Sequence, residues 1–305
     1  MEIKTVSLIG LGAIGILYAH QLSKALAKES LRIVADRDRI GRYENDGIYI
    51  NGERCDFYYV PSNEKCTPAD LILIAVKYNG LADAVKAIKN HVGPDTIILS
   101  LLNGISSEAH ISKVYGADKV LPCIVYGMDA VKTGTEMTYQ NRGFISFGDF
   151  TRGTVSEKVR TVGAFFEKTG IPYEISEDMR KKQWSKFMLN AGCNQATAVY
   201  MCNYAGIQKD GPYRALMISA MEEVAGLAEK EGITLARKDI DYWCNIIDGL
   251  TPGAKPSMQQ DVEAGRYSEV EMFGGTILEL AEKHGVNVPV NRMLYEKIKA
   301  IEMMY

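Results

Sequence analysis

The sequence predicts an α/β protein in two parts: a doubly wound parallel sheet over residues 1–175, then an all-helical domain over 176–305. Three observations carry this reading. Apolar runs of strand length alternate with helical segments through the first half, the pattern of a parallel sheet covered by helices. A glycine-rich stretch, GLGAIG at residues 10–15, ends the first of those runs and opens the first helix. From about Glu177 onward, strand character gives way to helical periods. At 305 residues the chain has length enough for both domains.

The first strand is read over 5–10 (TVSLIG), and the first helix over 13–28, with Ile14, Leu17, Tyr18, Leu22 and Ala25 on one apolar face. A G-x-G-x-x-G motif lying between a strand and a helix has the context that dinucleotide binding requires. Gly10 then makes the tight turn, Gly12 lets the backbone approach a pyrophosphate, and Gly15 lets helix and strand pack closely. With Leu11, Ala13 and Ile14 they form a cofactor-binding loop whose helix N–H groups face the phosphates. The alternative is a glycine-rich turn that serves packing alone.

The second strand, 31–35, ends in Asp36-Arg37-Asp38-Arg39. Asp36 lies 21 residues after Gly15, where an acid accepts the ribose 2′-OH of NAD and an arginine such as Arg37 receives the 2′-phosphate of NADP. Both residue types are present, so both cofactors stay open at this point, as does a plain pair of surface charges in a loop. The runs at 71–76, 97–102 and 120–125 are apolar throughout, as in strands covered on both faces. Helical segments at 80–91 and 106–115 separate them. Ligands of such sheets bind beyond the carboxyl ends of the strands. Lys77 and Asn103-Gly104 stand there, as ligand contacts or as a solvated lysine and an ordinary Asn-Gly turn. Short strands at 135–139 and 144–147 read as an edge hairpin, followed by a helix at 155–168 and a last strand at 172–175.

In the second half, helices are read at 182–201, 213–231, 237–247, 257–264, 268–284 and 291–304, several of them separated by Gly and Pro stop signals. The first is apolar on every side, through Trp184, Phe187, Met188, Leu189, Ala191, Cys193 and Val199, and such a helix is buried. Yet Lys186, Asn190 and Asn194 stand four apart and share one face. Burying them costs free energy unless something meets them. The partner is either protein (a buried network or a half-exposed edge) or a ligand. Ser257 and Gln260 form a capping-box pattern, S-x-x-Q, which by itself accounts for the serine. Glu269 is read on one helical face with Phe273, Ile277 and Leu280, at the rim or paired with a cation.

A net charge of −3 without a Lys/Arg block argues against nucleic acid or an anionic membrane surface as partner. The opening MEIKTVSLIG has no secretory pattern, and no apolar run reaches the roughly 18 residues of a membrane span. Six scattered cysteines without a C-x-x-C pair are expected reduced, in a cytoplasmic protein without structural zinc. Four scattered histidines give no metal-ligand spacing. Apolar residues to spare in the helical half (Met272, Phe273, Leu278, Tyr295, Met303) offer a surface for a homodimer.

Five pieces in order across both halves carry a family resemblance: GLGAIG, the AVK that ends at Lys77, Asn103-Gly104, WSKFMLNAGCN from Trp184 to Asn194, and SMQQD from Ser257 with SEVE from Ser268. With them the chain resembles the ketopantoate reductase (2-dehydropantoate 2-reductase) family along essentially its whole length. The resemblance implies a Rossmann domain, a helical domain and an active site in the cleft between them. It implies stereospecific hydride transfer from NADPH to the C2 carbonyl of ketopantoate, giving pantoate for coenzyme A synthesis. Carried over residue by residue, Lys186 is the general acid at the substrate oxygen and Glu269 meets the substrate hydroxyl. Asn190 and Asn194 line the substrate site, and Ser257 binds the substrate carboxylate. The glycine motif, Lys77 and Asn103 contact the cofactor, and Asn103 also borders the substrate.

Three positions depart from the family pattern. Asn194-Gln195 stands where Asn-Pro is common, Ala254-Lys255-Pro256 lacks an asparagine before Ser257, and Asn203-Tyr-Ala-Gly206 replaces an Asn-Gly pair. They leave open a reductase of another 2-oxo acid or imine. A dinucleotide-binding protein without turnover is the third reading, and it gives no reason to keep Lys186 and Glu269.

Overall fold

Val6–Ile9 (β1), Leu71–Ile74 (β6) and Ile97–Ser100 (β7) are strands in which every residue is buried. In the computed structural model of the chain, which describes residues 2–305, alternate residues of β6 supply two separate cores. Leu71 and Leu73 pack with Leu8, Ile16, Leu17 and Phe166, while Ile72 and Ile74 pack with Ile9, Leu81, Val85 and Ile111. A strand with a core on each face has no polar side, and this is why the run reads as continuously apolar.

These strands belong to the first of two units, which holds the residues up to 103 together with 107–180. Its other strands are β2 (Leu31–Ala35), β3 (Tyr49–Ile50), β4 (Glu53–Arg54), β5 (Tyr58–Pro61), β8 (Val120–Leu121), β9 (Cys123–Met128), β10 (Val131–Thr133), β11 (Glu136–Thr138), β12 (Arg142–Phe147) and β13 (Tyr173–Ile175). Its helices are α1 (Ala13–Ala25), α2 (Arg37–Asp46), α3 (Leu81–Ala87), α4 (Ser107–Tyr115) and α5 (Glu157–Thr169). The main sheet has the order β5-β2-β1-β6-β7-β8 and is parallel throughout. Strand order reverses at β1, which has β2 on one side and β6 on the other, and such a switch point opens a crevice at the carboxyl edge.

The structure departs from expectation in three places here. The run 120–125 is not one strand, because Pro122 has no N–H to continue the ladder; β8 closes the main sheet and β9 joins a second one, β13-β12-β9. The segments 135–139 and 144–147 do not form a hairpin with each other. β11 pairs with β10 and β3, and β12 pairs with β9 and β13. The charged run after β2 is not a loop, since Asp36 caps α2.

The second unit comprises residues 104–106 and 181–305. It contains α6 (Met179–Tyr200) from Lys181 onward, α7 (Asn203–Gln208), α8 (Pro212–Lys230), α9 (Arg237–Asp248), α10 (Ser257–Glu263), α11 (Thr276–His284) and α12 (Pro289–Glu302). Residues 191–198 of α6 are all buried, as an apolar helix requires. A Cβ on Gly192 would lie 2.8 Å from the Met217 carbonyl oxygen, so α6 and α8 touch backbone to backbone there. Gln195 Nε2 donates to Asn291 Oδ1 at 3.0 Å, and Asn291 Nδ2 donates to Glu223 Oε2 at 2.7 Å. These bonds join α6 and α12 through the buried Gln195 and Asn291, and α12 to α8 through the half-buried Glu223. Of the apolar residues read as a dimer surface, Met272 and Phe273 are each 1% exposed within this fold, and Met303 is 83% exposed.

Candidate active site

The carboxyl edge of the main sheet gathers the first set of candidates. Ile9 pairs with Val34 and Ile74, and Ile74 pairs with Ser100. With the strands parallel and in register, Gly10, Asp36, Lys77 and Asn103 all follow at the same edge.

The three glycines there differ in what the fold demands of them. Gly10 has φ +99°, a conformation that favours glycine, and a Cβ on it would lie 2.6 Å from the Ala75 carbonyl oxygen. A Cβ on Gly15 would lie 1.8 Å from the Gly10 carbonyl oxygen, so no side chain fits. At Gly12 the nearest atom to such a Cβ is Ala75 O, 3.9 Å away. Packing therefore requires Gly10 and Gly15 but makes no demand at Gly12, which is exposed. Gly12 caps α1 without a side-chain hydrogen bond, and the first turn has no acidic residue. Leu11 is buried, and Ala13 and Ile14 are half-buried. An exposed helix N-terminus without a carboxylate, approached over a bare Cα, fits a dinucleotide pyrophosphate.

Asp36 Oδ1 accepts the Arg39 N–H at 2.7 Å, and Arg39 Nε stands 3.4 Å from Asp36 Oδ2. Arg37, at the first position of α2, is exposed. Lys77 is exposed and Asn103 half-buried; Asn103 and Gly104 lie in a bend, with Gly104 at φ +86°.

The helical unit holds the second set. Lys186 is 9% and Asn194 7% exposed, with Asn190 half-buried between them on the same face of α6. An adjacent face of α6 is pinned to α9: Trp243 Nε1 donates to Ser185 Oγ at 2.8 Å, and Lys181 pairs with Asp239 at 3.2 Å. The Phe187 ring, next to Lys186 in sequence, lies 6.3 Å from that of Phe273. This contact brings the segment that carries Glu269 against α6.

Glu269 is half-buried, and its setting differs from the expected one. It lies in a bend, and the helix that follows opens with a π turn, Glu271–Gly275. The wider turn breaks the 3.6-residue spacing, so the expected face shared with Ile277 and Leu280 is not regular helix. Ser257 also differs. Pro256 takes the N-cap position of α10, and Gln260 Nε2 donates instead to the Lys255 carbonyl at 2.8 Å. The capping box is one residue out of phase, and the exposed Ser257 hydroxyl is not committed to it.

Sequence reasoning missed the side chains that hold Glu269's segment. Glu302 Oε1 accepts the Ser268 N–H and hydroxyl at 2.8 and 2.7 Å, and Lys299 Nζ donates to Glu271 Oε1 at 2.8 Å. Glu271 raises the Lys299 pKa, first through that hydrogen bond. No spacing rule links residues about thirty apart, so no local signal announced them. Among the described residues, no group of three or more His, Cys, Asp or Glu side chains is placed to hold a metal ion.

Comparison with known proteins covers both units. The family profile described as "Ketopantoate reductase PanE/ApbA" matches residues 6–152, and that described as "Ketopantoate reductase PanE/ApbA C terminal" matches 178–302. A 2-dehydropantoate 2-reductase of Aquifex aeolicus is 27% identical over 301 residues, covering 97% of this chain and 96% of the relative. The crystal structure of 2-dehydropantoate 2-reductase from Methylococcus capsulatus superposes with a TM-score of 0.83 at 25% identity, covering 98% of this chain and 97% of that one. A D-mandelate dehydrogenase, solved with NADH and anilino(oxo)acetate, has the same fold, with a TM-score of 0.85 at 21% identity and coverage of 98% and 99%. With both profiles matched in order over most of its length, the chain belongs to the ketopantoate reductase family.

Proposed function

We propose that this protein reduces the C2 carbonyl of ketopantoate to pantoate with NADPH, in the cytoplasm, as a step of pantothenate and coenzyme A biosynthesis. The observation that carries the reading is the buried ammonium of Lys186 aligned with Asn190 and Asn194 on one face of α6. A cation and two amides on one face of a largely buried helix suit a small anionic substrate that bears a carbonyl. The named 2-dehydropantoate 2-reductases among the relatives support the same substrate.

The bound nicotinamide supplies the hydride. Lys186 donates a proton to the carbonyl oxygen as negative charge develops on it, which is where a positioned donor lowers the barrier. Glu269 accepts the substrate hydroxyl and orients the substrate toward Lys186. Asn190, Asn194 and Asn103 give neutral hydrogen bonds, and Ser257 binds the carboxylate. Gly10, Leu11, Gly12, Ala13, Ile14 and Gly15 hold the dinucleotide with Lys77, and Arg37 takes the 2′-phosphate.

One observation favours a second reading of the cofactor. Asp36 follows β2 directly, where a carboxylate suits a ribose diol and repels a 2′-phosphate. The D-mandelate dehydrogenase of the same fold was solved with NADH. Gln195 and Ala254, off the family pattern, favour another 2-oxo acid as the second substrate reading. A ketopantoate reductase from Staphylococcus aureus is described as dimeric, and a homodimer is proposed here through exposed side chains of the helical unit such as Met303.

Steady-state oxidation of NADPH and of NADH with ketopantoate tests the reading. Turnover with NADPH supports the substrate and the cofactor together, preference for NADH moves the weight from Arg37 to Asp36, and no turnover with either rejects ketopantoate. Lys186→Ala is expected to lower kcat by two or more orders of magnitude while dinucleotide affinity changes little. Equal kcat for variant and wild type would remove Lys186 from the mechanism.

A further inference from the structure

Tyr295, Lys299 and Glu302 lie at i, i+4 and i+7 on α12, a spacing that puts them on one face. All three reach the segment that contains Glu269. Glu302 is 4% exposed, and its Oε1 accepts both the backbone N–H and the hydroxyl of Ser268, at 2.8 and 2.7 Å. Ser268 Oγ in turn accepts the Val270 N–H at 3.3 Å. On the other flank, the Tyr295 hydroxyl donates to the Glu271 carboxylate at 3.0 and 3.1 Å, and Lys299 Nζ donates to it at 2.8 Å. Lys299 also stands 3.8 Å from Glu302 Oε2, which joins the two anchors. Ser268 and Val270, the neighbours of Glu269, are 7% and 0% exposed.

Such an arrangement is a costly way to secure a loop. A buried carboxylate brings a desolvation penalty that apolar packing avoids, so stability alone gives little reason for it. Here the carboxylate does something packing does not: it fixes the Ser268 hydroxyl, which in turn accepts the Val270 N–H and so sets the 269–270 peptide plane, and with it the direction of the Glu269 side chain. The π turn needs the same control. A Cβ on Gly274 would lie 2.8 Å from both Gln195 Oε1 and Tyr295 Cδ2, and one on Gly275 would lie 2.8 Å from Glu271 Oε2. Tyr295 thus grips Glu271 with its hydroxyl and bounds the turn with its ring. π turns of this kind recur at functional sites.

We infer that Tyr295, Lys299 and Glu302 are positioning residues that fix the direction of Glu269, with the Glu302–Ser268 hydrogen bonds as the decisive contact. The inference rests on the reading of Glu269 as a substrate-contacting residue. It extends the reaction's machinery to the C-terminal stretch of α12 from Tyr295 onward, whose residues act through Ser268 and Glu271.

The test is a double-mutant cycle. Glu302→Ala is made in the wild-type and Glu269→Gln backgrounds, with kcat and KM for ketopantoate and the dinucleotide Kd measured for each. Glu302→Ala is expected to lower kcat/KM about tenfold in the wild type, with the dinucleotide Kd moved less than twofold, and to change kcat/KM less than twofold in the Glu269→Gln background. Such a five- to tenfold coupling corresponds to about 1.0–1.4 kcal/mol. Glu302→Gln keeps an acceptor for Ser268 and is expected to recover activity to within threefold of wild type. Should Glu302→Ala fail to fold, Ser268→Ala with Tyr295→Phe enters the same cycle in its place. The same loss in both backgrounds, no loss in either, or a Glu302→Gln variant as impaired as Glu302→Ala overturns the positioning role. A Glu269→Gln enzyme with wild-type kcat/KM refutes the role of Glu269 and the inference with it. A crippled Glu269→Gln enzyme with additive Glu302→Ala refutes the positioning role alone.

Discussion

Replacing Gly12 and Gly15 by alanine, one at a time, separates what the fold needs from what a dinucleotide needs. At Gly12 the added methyl has its nearest neighbour 3.9 Å away, and φ is −76°, which alanine adopts freely. Alanine is a poorer N-cap than glycine by roughly 0.5–1 kcal/mol, and the stiffer unfolded chain returns about 0.4–1 kcal/mol. The two nearly cancel, so Tm should move by no more than about 4 °C. At Gly15 the same methyl falls 1.8 Å from the Gly10 carbonyl oxygen, and that atom is backbone in the tight turn itself. The turn must open by more than about 1 Å to restore ordinary contact, a loss of about 3 kcal/mol or more. Tm should fall by at least about 6 °C. Dinucleotide binding reverses the order of interest: Gly12→Ala keeps its fold yet raises the Kd for NADPH at least about tenfold, or 1.4 kcal/mol. Thermal unfolding and a fluorescence titration of the reduced nicotinamide read the two quantities separately. A Gly12→Ala protein that binds NADPH as tightly as wild type, or unfolds as early as Gly15→Ala, refutes the reasoning.

Two further outcomes are expected. His91 is fully buried, its Nδ1 is 2.8 Å from Ser7 Oγ, and burial lowers its pKa to about 4 from an ordinary 6.5. The unfolded chain therefore binds the proton first. The stability this residue contributes is fully present above about pH 6.5 and lost progressively as pH falls to about 4, by at most about 1.4 kcal/mol per pH unit. Denaturant titrations should show a flatter acid limb for His91→Gln, and an unchanged slope would show that another group dominates. Asn291 is fully buried and bonds Gln195, Ala220 and Glu223, so Asn291→Leu strands several polar groups and should cost about 3 kcal/mol. A Tm within 2 °C of wild type would mean that the network contributes nothing.

The sequence by itself determined the long apolar strands β1, β2, β6 and β7, most of the helices and the polar stripe on α6, because those signals repeat within a few residues. Alternation at 71–74 feeds two cores, the glycine spacing meets one carbonyl at Gly10, and residues four apart share a face whatever surrounds them. Tertiary structure decided the rest. Asp36, open between a ribose contact and a loop charge, turns out to cap a helix that no local signal announced, and the Ser257 box gave way to Pro256 at the N-cap. The π turn at Glu271–Gly275 is bounded by Gln195 and Tyr295, side chains far away in the chain. Glu302 reaches Ser268 across 34 residues. A periodicity records only what a residue's near neighbours share with it. A buried hydrogen bond depends on which distant segments meet, and that is settled only when the helices have packed.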